Sequence, residues 1–367
     1  MFVHPLRSLP ELRLVPPAET GTAPEPKVAV LLNANARKVT ERVVRSLSHV
    51  VPEEDLFLSR SAADCRRIAT QVVERRYDTV FTGGGDGTFV GFVNEIHRQL
   101  DLRSRYFPQR APRFGVLKLG TGNGLANLVN ASSPRGEGFL DDVLRARANE
   151  VPGYRELDLL EVDGKLSPFA GMGVDGKLLN DYIWVKENLG KGAMKRMLTG
   201  PGGYFSAVAF RTVPHYLTHS TKVECEVHNG PDAPAYRLGA DGRTVEEIPP
   251  GALILRGKVM MCAAGTIPFY GYALRMFPFA GQRRGYMNLR LGAVGAVETL
   301  ANLHNLWRGR WFPEGRVHDI HAKSFTAKFA RPMPFQVGGD AEGYRETLSV
   351  RVSEQPVQLV DFHGAVN

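Results

Sequence analysis

The sequence predicts two domains: an N-terminal α/β nucleotide-type domain on a Rossmann-like parallel sheet, then a C-terminal antiparallel β-sandwich. Three observations carry that prediction. Up to about residue 150, short apolar runs alternate with stretches of helical spacing, the grammar of a parallel sheet with crossover helices. From about Tyr154 onward, apolar residues recur at every second position between turn residues, as in antiparallel strands. Finally, two glycine-rich runs each follow a predicted strand in the first half, where parallel sheets bind their ligands: Gly83-Gly84-Gly85-Asp86-Gly87 and Gly120-Thr121-Gly122-Asn123-Gly124.

In order along the chain, residues 1–26 are rich in Pro and polar residues and read as a loose arm. Lys27 to Leu32 is a first strand that ends in the polar turn Asn33-Ala34-Asn35-Ala36-Arg37. Thr40 opens an amphipathic helix carrying Val43, Val44, Leu47 and Val50. Leu56-Phe57-Leu58 is a second strand, Ser61 to Arg75 a helix with a Ser/Asp start, and Asp78 to Phe81 a third strand. Phe114 to Leu119 is the fourth. These elements define a nucleotide-binding domain over 27–150. The β domain is expected over 151–352, with strands at 155–162, 222–227, 287–291, 325–329 and 348–352 and a helical insertion at 176–210. Residues 353–367 are expected to form a C-terminal tail.

With 43% apolar and 23% charged residues among 367, the composition is that of a globular protein with room for two cores. Lys and Arg exceed Asp and Glu, 46 against 38, which suits an anionic partner without choosing among nucleotide, lipid surface and nucleic acid. Three widely spaced cysteines argue against a disulfide framework or zinc site and for a reducing compartment. Met1 to Pro10 lacks the apolar core of a signal peptide. The most apolar stretch, Val259 to Leu274, is short and broken by Gly265, Pro268 and Gly271. A cytoplasmic placement is expected, with any membrane contact peripheral.

The first glycine run carries the most chemistry. A strand, a turn of Gly83, Gly84, Gly85 and Gly87, and a helix start bring bare backbone N–H groups to a bound anion, and the helix end adds partial positive charge. Asp86 inside such a turn would repel phosphate. It makes sense as a metal ligand or as the acceptor of a hydroxyl proton. Asn33 and Arg37, at the end of the first strand, could reach the same phosphates, with Thr88 as an added donor. Asn33 reads equally well as a turn cap. Gly120, Thr121 and Asn123 would line the other side of the cleft.

The order of these pieces resembles the diacylglycerol kinase catalytic family, which includes sphingosine kinase-like proteins. Gly84-Gly85-Asp86-Gly87-Thr88 is the strong match, shared with NAD kinases and phosphofructokinases. Around it stand Leu32-Asn33-Ala34-Asn35, the turn at Gly120 to Ala126, Leu157-Asp158-Leu159 followed by Gly171 to Asp175, and Gly339-Asp340-Ala341-Glu342. The resemblance implies ATP and Mg²⁺ as cofactors, a lipid substrate met at a membrane surface, no nucleic-acid partner and no transmembrane segment, and it leaves a homodimer open. It implies Asp340 as general base with Glu342 as its polar partner, and Asp86 as the competing base. Asp86 with Asp158 is implied as a Mg²⁺-linked pair, and Asp175 as a residue near the lipid headgroup or else a helix cap. Basic and aromatic residues between Tyr182 and Arg211 suit an interfacial surface or ordinary packing, and Phe269 to Phe279 an acyl pocket or core.

Four positions depart from the family pattern. Gly124 replaces the second acid of an Asn-Asp pair, Gly91 a Glu, Ala341 the middle glycine of Asp-Gly-Glu, and Arg284 the Asp of an Asp-Gly pair. The expected activity is transfer of the γ-phosphate of ATP to a diacylglycerol-like or sphingoid hydroxyl. The alternatives are an NAD kinase-like enzyme and a non-catalytic nucleotide- or lipid-binding regulator.

Overall fold

The computed structural model describes residues 25–104, 108–120, 124–133, 135–151, 153–174, 222–270 and 274–362. Strand β1 (Val28–Asn33) is apolar and buried over its first five residues. Helix α1 (Glu41–Ser48) starts at Thr40, whose hydroxyl accepts the Val43 N–H (3.4 Å). After β2 (Leu56–Ser59), Ser61 caps α2 (Ala62–Arg75) by accepting the Asp64 N–H (3.1 Å). Strand β3 (Thr79–Gly83) leads into the 18-residue α3 (Asp86–Arg103), then β4 (Arg113–Leu117), α4 (Gly124–Leu128), α5 (Gly138–Arg147) and β5 (Gly153–Leu157).

Helix α3 lies across the sheet through Phe89, Phe92, Val93 and Ile96, all fully buried. Phe89 and Phe92 both meet Phe114 of β4 edge-on, at centroid distances of 5.7 and 6.3 Å. Each such pair adds about 0.5–1.5 kcal/mol to the burial of its rings. These contacts pack the first two turns of α3 onto the start of β4.

The second domain holds β6 (Leu160–Val162), β7 (Lys165–Ser167), β8 (Phe169–Gly173), β9 (Val223–Asn229), β10 (Ala235–Leu238), β11 (Thr244–Ile248), β12 (Leu253–Val259), β13 (Met261–Gly265), β14 (Met287–Gly292), β15 (Val317–Ala322), β16 (Ser324–Val337) and β17 (Asp340–Val352). They form one large antiparallel sheet, in the order β11-β10-β15-β14-β13-β8-β16-β17-β6-β7, with β9 joining β16 to β12. Strand β16 is where it turns: Phe325 to Phe329 pairs with β9, and Phe335 to Val337 pairs with β8. Both arms bury their inner residues in one cluster that includes Val227, Leu289, Ile320, Phe325 and Phe335.

Two boundaries differ from the sequence expectation. The segment read as a C-terminal tail contains β18 (Val357–Asp361), which returns to the first sheet between β4 and β5. The first sheet is therefore β2-β1-β3-β4-β18-β5, parallel except for the last pair. Strand β5 likewise belongs to the first domain, so the chain crosses after Leu157 rather than at 150. The outgoing and returning connections run side by side, and the Ser353 N–H donates to the Leu159 carbonyl (2.7 Å). Buried Leu359, Val360 and Leu157 supply the physical reason: those apolar residues complete the first domain's cores. The insertion expected at 176–210 lies outside the described residues.

Of the aromatic stretch 269–279, Tyr270, Met276 and Phe277 pack with Phe169, Met261 and Leu306 in a cluster over the outer face of the second sheet. They are core. Among the described residues, no helix is long and apolar enough to cross a membrane.

Candidate active site

Strand β3 ends at Gly83, and helix α3 begins three residues later with Gly85 as its cap and no side chain capping its amides. In an 18-residue helix this leaves first-turn N–H groups and the positive end of the dipole for a ligand. The glycines are there for space. A Cβ at Gly120 would stand 2.3 Å from the Gly85 Cα and 2.5 Å from the Gly84 oxygen, so the two glycine turns touch backbone to backbone. A Cβ at Gly83 would collide with the Leu32 side chain at 2.3 Å. At Gly87, by contrast, a Cβ would meet nothing within 4 Å, and that residue is exposed.

Asn33, at the end of β1, donates from Nδ2 to the Thr88 hydroxyl (2.9 Å) and accepts the Asn35 N–H at Oδ1 (3.0 Å). It both caps its own turn and ties it to the first turn of α3. Arg37 is exposed on the loop that follows. Thr121, Asn123 and Asp175 lie outside the described residues.

Asp86 is the hinge pin of the two turns. Its carboxylate accepts the N–H groups of Gly124 (2.9 Å) and Leu125 (3.1 Å), at the start of α4. Burial pushes its pKa above the ordinary aspartate value, and the two N–H donors pull it back. Asp158 has partners of its own: Oδ2 accepts the Gly285 N–H (2.8 Å), and Oδ1 lies 3.5 Å from the Arg284 guanidinium, which also pairs with Glu156 at 2.6 Å. No hydrogen bond or common cation joins Asp86 to Asp158. Among the described residues, no group of three or more His, Cys, Asp or Glu side chains is placed to hold a metal. Of the expected metal pair, the Asp86 carboxylate is engaged by two backbone amides, and that of Asp158 by the Gly285 N–H and the half-exposed Arg284 guanidinium.

Asp340 opens β17 directly after Gly338 and Gly339, both with positive φ (61° and 91°), which close the two-residue hairpin from β16. A cleft of about 1020 Å³ runs between α3 and this hairpin, and Gly87, Gly91, Asp340 and Glu342 all line it. Asp340 is an exposed residue, yet protein atoms crowd its carboxyl. That desolvation, together with the neighbouring Glu342 charge, raises its pKa, while Lys165 acts in the opposite direction. Glu342 accepts a hydrogen bond from Lys165 Nζ at 2.6 Å.

Three departures from the family pattern take on a geometry. A Cβ at Gly91 would meet nothing within 4 Å, so the missing Glu leaves open space in the cleft. A Cβ at Gly124 would stand 3.2 Å from Asp86 Oδ2, where a second acid would crowd the first. Ala341 pairs with Gln336 inside β17 and needs no positive φ, so nothing there requires glycine.

Two further residues take part: Asn94, which the sequence shows only as a retained position of the family pattern with no role attached, and Lys165, which it does not mark at all. Asn94, on α3, accepts the Leu166 N–H and donates to the Leu166 carbonyl, both at 2.8 Å, closing a two-bond clamp on β7 of the second domain. Lys165, the next residue on that strand, holds Glu342. The family pattern after the glycine turn was the available signal for the first; an isolated Lys carries none.

Residues 27–153 match the sequence profile of the diacylglycerol kinase catalytic domain. In fold, the chain is similar to a diacylglycerol kinase from Bacillus anthracis strain Sterne, with a TM-score of 0.58 at 13% identity, over 94% of this chain and 100% of that one. A candidate diacylglycerol kinase from the same strain aligns with a TM-score of 0.60, again at 13% identity and over the same shares of the two chains. An NAD kinase from Archaeoglobus fulgidus in complex with ATP reaches a TM-score of only 0.46 at 10% identity, which is too remote to weigh. No curated protein matches the chain in sequence. The parallel first sheet and large antiparallel second sheet are the two-domain arrangement expected, and the match to the diacylglycerol kinase catalytic domain falls on the first of the two.

Proposed function

We propose that the protein is an ATP-dependent lipid kinase, moving the γ-phosphate of ATP to the hydroxyl of a diacylglycerol-like or sphingoid lipid in phospholipid metabolism. One observation carries the reading: Gly87, in the first turn of the uncapped helix α3, lines the same cleft as Asp340 and Glu342. Phosphoryl transfer needs an anion cradle and a group that orients the attacking hydroxyl and takes its proton late. The amides of Gly84 to Gly87, with Asn33 holding the Thr88 hydroxyl and the Thr88 N–H bound to the Gly85 carbonyl, are the cradle. Arg37, with Thr121 and Asn123 by their place in the sequence, is assigned to the same phosphates. Asp340 is the base, and Glu342 keeps negative charge beside it. Asp86 holds the two turns together rather than acting as base. Magnesium enters on the nucleotide. Asp175 and the basic segment that follows it meet the lipid at the membrane surface.

The test is purified protein with labelled ATP and Mg²⁺, offered diacylglycerol, sphingosine and NAD separately. Transfer to a lipid is the expected result. Transfer to NAD alone would replace the lipid reading with the dinucleotide one. A second reading, a nucleotide- or lipid-binding regulator without turnover, draws on the acids missing at Gly91 and Gly124. ATP binding without transfer to any acceptor would establish it.

A further inference from the structure

The chemistry proposed above divides its parts between two domains, with phosphates at the start of α3 and the base at the start of β17. Something must hold those two points in register. We propose that Asn94 and Lys165 form a strap that does so, as positioning residues that set where Asp340 stands relative to the phosphate-holding turn. This inference deepens the kinase reading and rests on it.

The strap can be followed atom by atom. Asn94 lies two helical turns beyond Asp86, on the helix whose N-terminus forms the cradle. Its Nδ2 donates to the Val90 carbonyl of its own helix and to the Leu166 carbonyl, and its Oδ1 accepts the Leu166 N–H, each at 2.8 Å. A side-chain amide that meets both backbone groups of one residue fixes distance and orientation together, because both bonds must form at once. From Leu166 the path passes along the chain to Lys165, whose Nζ donates to Glu342 Oε1 at 2.6 Å. Glu342 stands two residues from Asp340 on the same strand, hence on the same face. From behind, the Gly338 N–H donates to the Phe169 carbonyl and the Gly339 N–H to Gln336 Oε1 (2.9 and 3.0 Å). The hairpin tip is thus held to its own domain by one backbone bond and one to the Gln336 side chain, and to α3 through Asn94 and Lys165.

Lys165 also sets the charge beside the base. The groups acting on Asp340 are Glu342 on its own strand and Lys165 on β7. The other charges of the cleft are largely engaged with one another: Arg98 of α3 pairs with Glu95 (2.8 Å), and Arg351 pairs with Glu161 (2.8 Å). Asp101, Glu354 and His97 also line this space, and burial lowers the His97 pKa.

The experiment uses the full chain, diacylglycerol in detergent micelles and MgATP. It compares kcat, KM for ATP and the pH–rate profile of wild type, Asn94→Ala, Lys165→Met and Lys165→Arg. Asn94→Ala should lower kcat by about 10–100-fold, the cost of a base displaced by about an ångström, with KM for ATP within about threefold. Lys165→Met should move the acid limb of the profile upward by roughly 0.2–0.7 pH unit, since a half-exposed pair is worth little, and Lys165→Arg should restore it. A kcat for Asn94→Ala within twofold of wild type, or an unmoved limb in Lys165→Met, would overturn the strap. If wild type phosphorylates no lipid, the kinase reading fails and amide hydrogen exchange decides this one separately. Asn94→Ala should then speed exchange at residues 338–342 as well as at 164–167. Faster exchange confined to 164–167 would mean a local structural bond and no strap.

Discussion

A single methyl group at Gly87 separates a glycine kept for a ligand from one kept for the fold. The structure leaves that position free: an added Cβ meets no atom within 4 Å, and Gly87 sits in the first turn of α3 with no positive φ. Replacing such a glycine with alanine ordinarily stabilises a helix by about 0.4–1 kcal/mol, through the reduced freedom of the unfolded chain. For a domain of this size that is a rise of roughly 1–4 °C in melting temperature. If phosphate oxygens approach the N–H groups at this helix start, the same methyl intrudes on them. Losing one charge-assisted backbone hydrogen bond costs about 1.5–3 kcal/mol, so ATP affinity should fall at least tenfold. Gly87→Ala is therefore expected to melt higher and bind ATP more weakly, read by thermal denaturation and equilibrium binding on one preparation. A higher melting temperature with ATP affinity within twofold of wild type would refute the phosphate-cradle reasoning.

Two other substitutions test neighbouring claims. Gly120→Ala should have the opposite profile, losing about 3 kcal/mol, because the atoms the new Cβ would meet are backbone of Gly84 and Gly85 and cannot yield as a side chain would; a melting temperature within 2 °C of wild type would mean the turns are not in contact. Asp340→Asn should abolish turnover with ATP affinity nearly unchanged. In wild type, kcat should fall on acidification with an apparent pKa above 3.8, because crowding and Glu342 raise the carboxyl that must be ionised to accept a proton; a limb at or below 3.8, or near-normal turnover in the variant, would move the base elsewhere. The same shift has a stability sign. A carboxyl that is more easily protonated in the folded state than in the unfolded one stabilises at low pH, and that contribution fades as pH rises through its folded value.

The first sheet was legible because its strands are buried on both faces, so that Val28 to Leu32 and Thr79 to Phe81 stand out as continuous apolar runs closed by glycine turns. Strand β18 was not, since five residues after Pro356 gain their meaning from partners some 200 and 240 positions earlier, Leu157 and Phe114. Strand β13 (Met-Cys-Ala-Ala-Gly) is buried at every position and shows no alternation to read. In β14 the alternation was read correctly but its outer face was not. Asn288 and Arg290 look solvent-facing, yet both are buried beneath a further layer, where Arg290 donates to the Met276 and Trp311 carbonyls (2.9 and 2.6 Å). Of the site, the glycine turns were visible as chemistry in the sequence. Asp340 and Glu342 were visible only through the family resemblance, because a carboxylate after a strand has no pattern of its own. The Asn94 clamp depends on where two domains meet, which no local spacing encodes.

The departures at Gly124 and Arg284 bear on the same question, how this chain neutralises acid at its interdomain hinge. Glu156 and Asp158 stand at the end of β5, where the chain leaves the first domain, and Arg284 reaches both. A guanidinium there supplies the positive charge that two neighbouring carboxylates need, and it cannot dissociate. Hinge stability should then be indifferent to divalent cations: wild type should melt at the same temperature with Mg²⁺ or with a chelator. Arg284→Asp reverses the arrangement by replacing the shared cation with a third carboxylate. The lost pairings and new repulsion should cost roughly 1–2 kcal/mol, given that Arg284 is more than half exposed (56%) and such pairs are individually weak. Three convergent carboxylates are also what a hard cation seeks, so Mg²⁺ should raise the melting temperature of the variant and leave wild type unmoved. A wild-type melting temperature that climbs with Mg²⁺ as steeply as that of the variant would show that an ion, and not Arg284, neutralises this hinge.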